Sequence, residues 1–200
     1  MPETFKRPSY SAAVTGLLAP PRLAPLGPGE PNLAVRDRLE SMVDRVLFGG
    51  CKVVARPMAE ACRAALWLYH DFLSQSHAIS QDIETPSGSY WHGILHRREP
   101  DFGNANYWFR RVGRHPIHDR LARAARRIAG EHAAELPPEG RYLLEQEVWD
   151  CPAFTELCRT VQTGRPQAEI CCRHVQQAEW ELLFDYCYHA AVGDTVASAE

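Results

Sequence analysis

Two hundred residues with 45% hydrophobic content suit one domain with a real core and exclude a disordered chain. The net charge of −3 argues against a general affinity for duplex nucleic acid, and no apolar run is long enough to span a membrane. The N-terminus makes a poor signal peptide, because Glu3 sits in the would-be basic region and Thr15 and Gly16 interrupt the mildly apolar stretch. Seven cysteines, an odd number without a Cys-x-x-Cys pair, read as reduced, mostly buried thiols of a cytoplasmic protein.

Residues 1–31 hold seven of the fifteen prolines. Proline fixes φ and lacks an amide donor, so this arm is expected to be disordered or extended and to add little to the core. The domain proper is expected over 32–193, with a flexible tail at 194–200. Asn32 can cap a helix running to about Phe48, which Gly49 and Gly50 close. Pro57 suits the first turn of a long helix reaching about Glu84, with Met58, Cys62, Ala65, Tyr69 and Phe72 on its apolar stripe. A turn at Thr85–Gly88 precedes a helix capped by Ser89 and running to about Arg98. Pro100 and the following Gly/Asn segment break it, and a short helix over Tyr107–Val112 follows. Further helices are expected over about 116–129, 141–148, 152–161 and 166–191. No stretch alternates as a strand does. The fold class is all-α, one bundle-like domain with an irregular insertion around residues 99–118.

The stretch from Ser89 to His118 concentrates chemistry-bearing side chains. His92 and His96 are four apart, so they share a helix face. The short turn makes the preceding helix antiparallel to theirs and places His77 level with His96. Three imidazoles from two facing helices can hold zinc or iron. Glu99, three beyond His96, is a further ligand or a general base. His115 and His118 form a weaker pair, separated by Pro116 and Ile117.

Nine arginines face three acids between Arg97 and Arg127, so positive charge gathers in one region. Arg97, Arg98, Arg110 and Arg111 flank the insertion. Guanidinium groups bind phosphate and carboxylate through paired donors. With Asn104 and Tyr107 they form a candidate ligand-binding set, although pairing of these arginines with Glu99 and Asp101 is the plainer alternative.

The segment YWHGILHRREPDFGNANYWFRRVG, together with EWELLFDYC near the end, resembles a functionally uncharacterised family of helical bacterial and fungal proteins. That resemblance implies a helical fold and no particular activity. The patterns of hemerythrin, ferritin-like carboxylate proteins and DinB-like thiol transferases are not matched. Two functional readings follow. The first is a metal-dependent enzyme acting on a small anionic substrate. The second is a non-enzymatic module whose Arg/aromatic insertion recognises an anionic ligand or an acidic protein, with structural histidines. The sequence leaves the oligomeric state open.

Overall fold

The computed structural model describes residues 10–194. Those residues form an all-α fold without strands. Ten α-helices follow in order: α1 (Ala12–Leu17), α2 (Arg36–Glu40), α3 (Asp44–Leu47), α4 (Arg56–Tyr69), α5 (Leu73–Ser80), α6 (Pro86–Arg98), α7 (Phe102–Val112), α8 (His118–Glu131), α9 (Cys151–Gly164) and α10 (Glu169–Val192). No helix among the described residues is long and apolar enough to cross a membrane.

Helix α6 is the axis of the domain. Every residue from Ser87 to Arg98 is buried, and α4, α5 and α7 pack around it. Its start is set by Thr85, whose hydroxyl accepts the Gly88 amide at 3.0 Å, with Pro86 in the first turn. The helix therefore begins earlier than a Ser89 cap implies. Gly93 lets α7 come close: a Cβ there would lie 2.6 Å from the Phe109 ring. Asp101 caps α7 by accepting the Asn104 amide at 3.1 Å. The insertion expected to be irregular around 99–118 is thus mostly one helix. Asp101 starts it at Phe102, five residues ahead of the expected Tyr107.

The expected single helix from Pro57 to Glu84 is two helices meeting at an elbow. Asp71 turns the chain there with φ 64°, in the left-handed region that aspartate enters more readily than most residues. Its carboxylate pairs with Arg98 of α6 and with Arg22 of the N-terminal arm. Likewise, the region from Asn32 to Phe48 is a 3-10 turn (Leu33–Val35) followed by α2 and α3. Between those two helices the Arg63 guanidinium bonds the Met42 carbonyl and the Asp44 carboxylate. The segment expected to be helical over 141–148 is a 3-10 stretch, Pro138–Leu144.

The arm is an integral part of the domain from residue 10 onward. Val14, Leu17 and Leu26 are fully buried. Ser11 bonds the Tyr188 hydroxyl, and the Arg22 amide bonds that of Tyr69. The carbonyls of Leu23, Ala24 and Pro25 accept side-chain bonds from Arg173 and Gln176 on α10. Proline density does keep residues 18–31 free of helix, but α1 forms ahead of it on the Ser11 cap. Expectations for residues 1–9 and for the tail beyond Asp194 lie outside the described residues. Each buried aliphatic side chain contributes roughly 1.5–3 kcal/mol, against a total stability of about 5–15 kcal/mol for a domain. Deleting residues 1–31 is therefore expected to remove several kcal/mol of stability. A truncated protein that melts within about 2 °C of the full chain would contradict this packing.

Candidate metal centre

Helix α6 presents its buried side chains in several directions. His92 and His96 share one face, and α5 lays His77 across them. The three imidazole rings lie 4.6–5.1 Å apart between centroids. One nitrogen from each lies within 4.8 Å of the others, a set that can hold a metal ion.

The hydrogen bonds around the rings indicate which nitrogens are free. His92 Nδ1 is 2.8 Å from Ser80 Oγ. The Ser80 hydroxyl can donate to the His77 carbonyl, 3.4 Å away. In that arrangement its oxygen accepts from His92 Nδ1–H, which leaves a lone pair on His92 Nε2. On His96, Nδ1 faces the Glu99 carboxylate at 3.2 Å, without the alignment of a good hydrogen bond. A carboxylate only accepts, so the proton belongs on Nδ1 and the lone pair on Nε2. The two Nε2 atoms are 3.0 Å apart. Two lone pairs at that distance repel unless a proton or a cation stands between them. Moving the His96 proton to Nε2 would set an Nδ1 lone pair against Glu99. Protonating both nitrogens is opposed by burial, which holds His96 below its ordinary value although Glu99 pulls the other way. Burial and the neighbouring His96 and His77 push His92 down to about 3. A bound cation would take both Nε2 lone pairs at once.

The centre has one open edge. His92 and His96 are buried, while the side chains of His77 and Glu99 are 35% and 30% exposed. Glu99 also lies 3.7 Å from His77 Nδ1. Because it stands behind the His96 ring, on the side away from His92, it is placed to orient imidazoles. It is not among the three residues whose ligand atoms come together. Trp108 of α7 stands edge-on to His92, 4.4 Å between centroids. Asn104 Nδ2 reaches His96 Nε2 at 3.2 Å.

The arginines divide. Arg97 and Arg98 follow His96 by one and two residues, so they leave α6 on other faces. Arg97 is fully buried, paired with Glu179 of α10 and lying 4.7 Å over the Phe154 ring. Burial alone would lower its pKa, but Glu179 raises it. Arg98 pairs with Asp71 and donates to the carbonyls of Leu68 and Gly27, each at 3.1 Å. Neither is available to a ligand, and their partners are not the expected Glu99 and Asp101. Arg110 is exposed on α7. Arg111 rests 5.2 Å over Trp108 and 5.9 Å over Tyr107, whose hydroxyl it bonds at 3.4 Å. Of the expected ligand-binding set, Asn104 touches the cluster, while Arg111 and Tyr107 pack against Trp108.

His115 and His118 make no metal set. His115 Nε2 bonds Ser87 Oγ at 3.0 Å, and His118 Nε2 lies 3.9 Å from the Cys151 sulfur. All seven cysteines are free thiols, and only Cys51 is exposed. Burial pushes the Cys151 thiol up to about 12, which makes it a poor nucleophile. Sequence reasoning missed Ser80 and Glu179. Ser80 is three residues beyond His77 on the same helix, a spacing that would have marked it.

No protein-family model, curated protein or solved structure matches the chain.

Beyond the cluster, burial also holds His118 below its ordinary value and takes His70 and His115 down to about 4. In the unfolded chain each titrates near ~6.5. Below that pH the unfolded state binds more protons, so stability falls as pH drops from about 6.5 toward 4, by up to about 1.4 kcal/mol per unit for each such histidine. Urea midpoints of metal-free protein should decline clearly between pH 7.5 and 5. A midpoint that holds or rises over that interval would contradict the neutral burial of these rings.

Proposed function

We propose that this protein is a metal protein whose zinc or iron is held by His77, His92 and His96, and that it acts on a small anionic substrate bearing carboxylate or phosphate. The observation that carries the reading is the pair of Nε2 atoms 3.0 Å apart, each with its Nδ1 turned to Ser80 or Glu99. Metal-ligating histidines characteristically have the second ring nitrogen engaged in this way. Imidazole donors suit zinc and iron, and the harder, oxygen-seeking calcium and magnesium poorly. A metal held there activates water or polarises a carbonyl.

The protein's own groups supply the rest. Ser80 and Glu99 fix two of the rings. Trp108 stands edge-on to His92 and carries the Arg111 guanidinium over its ring. Three neutral imidazoles leave the charge of a divalent ion to be balanced by Glu99, by Asp101 and by whatever the ion takes from solution. A cationic centre that opens to solvent at His77 favours a small anion as its remaining ligand.

Protein purified without an affinity tag should contain close to one zinc or iron per chain by elemental analysis. His92→Ala and His96→Ala should each lower retained metal at least ~10-fold while circular dichroism stays helical, since first-sphere ligands contribute more than the 10- to 100-fold of an outer-sphere partner. Metal-free wild type that takes up no zinc or iron, or double variants that keep a full equivalent, would reject the reading.

A further inference from the structure

Helix α7 carries a row of side chains at positions 104, 108 and 111, steps of four and three that share one face. The middle one, Trp108, is seated against His92. That contact and the Gly93 approach bring the first turn of α7 to the edge of the imidazole cluster. Asn104 stands in that turn, and its backbone amide is fixed by the Asp101 cap at 3.1 Å. Its side-chain amide reaches His96 Nε2 at 3.2 Å. The imidazole nitrogen facing it offers a lone pair, so the amide presents its NH2 group.

The same lone pair belongs to the metal in the reading given above. Once it is used for coordination, the Asn104 N–H has lost its acceptor. It is then left beside a cation to which it cannot donate. Beside the cluster, the acceptor it can turn to is an atom that the metal would hold from solution. An asparagine amide oxygen is an uncommon donor to zinc, whose usual protein ligands are histidine, cysteine and carboxylate.

We infer that Asn104 is the hydrogen-bond donor to the exogenous ligand of the centre, and that it selects a small anion with two neighbouring acceptor atoms, one for the metal and one for the Asn104 amide. This rests on the three-histidine centre. It adds a contact residue and a substrate class that the imidazoles alone do not specify.

The test uses the full chain reconstituted with cobalt(II), whose visible absorption reports both metal binding and the arrival of a fourth ligand. Azide is the probe. Wild type should bind one cobalt and change its spectrum on titration with azide. Asn104→Ala should bind cobalt within about 3-fold of wild type yet need roughly 5- to 10-fold more azide, the loss of about one hydrogen bond of ~1 kcal/mol. Asn104→Asp has nearly the same shape and no N–H donor, so it should weaken azide at least as much. Equal azide midpoints in wild type and Asn104→Ala would overturn the inference. So would a loss of cobalt in Asn104→Ala as large as that in His77→Ala, because Asn104 would then be a ligand. If wild type binds no cobalt, the three-histidine centre itself fails, an outcome distinct from the other two.

Discussion

The arrangement depends on one buried carboxylate. Asp71 ends the run begun in α4, turns the chain with a left-handed residue and receives two guanidinium groups, Arg98 from α6 and Arg22 from the arm. Without that elbow, α5 would continue α4 and His77 would be carried past α6. With it, α5 crosses α6 and sets His77 beside His92 and His96. A carboxylate this deep needs charge-assisted partners, because an unpaired buried ion costs several kcal/mol. The arginine that satisfies it lies two residues beyond His96. The same stretch of α6 thus supplies two imidazoles on one face and the counter-ion of the elbow on another.

Burying a whole helix explains the density of polar pairing along it. Tyr90 bonds Glu179 at 3.2 Å, and Arg97 pairs with the same carboxylate. Ser87 meets His115, and His92 meets Ser80. A helix buried on all sides ordinarily has an apolar surface. Here polar groups are retained and each major charge is matched across the core, which ties α6 to α4, α5 and α10 in one register. The His96 edge departs from this pattern in opening to solvent, through His77 and Glu99.

The local part of this structure was legible in the sequence. The all-α class followed from periodicity, and the His92/His96 face from a spacing of four. The level of His77 followed from reflection across the Thr85–Gly88 turn, a short-range argument that survives the break at Asp71 because the break lies further back. The long-range part was not legible. Arg97 and Arg98 look like ligand-binding arginines beside two acids of the same segment. Their real partners, Glu179 and Asp71, are 82 and 27 residues away. Asp71 itself reads as one polar residue in a helical pattern, and its partner Arg22 lies 49 residues off in a segment whose prolines suggested a loose arm. The early start of α7 was hidden because the Asp-Phe-Gly-Asn segment has the composition of a turn, while Asp101 uses it as a cap.

The central claim is that three imidazoles on α5 and α6 form one metal centre. X-ray absorption at the metal edge of the zinc- or iron-loaded protein tests it most directly. The account predicts a first shell of three imidazole nitrogens at ~2.0–2.1 Å, completed by light atoms from solvent and without sulfur. Scattering from sulfur at ~2.3 Å, or a shell of oxygens with no imidazole signature, would contradict it.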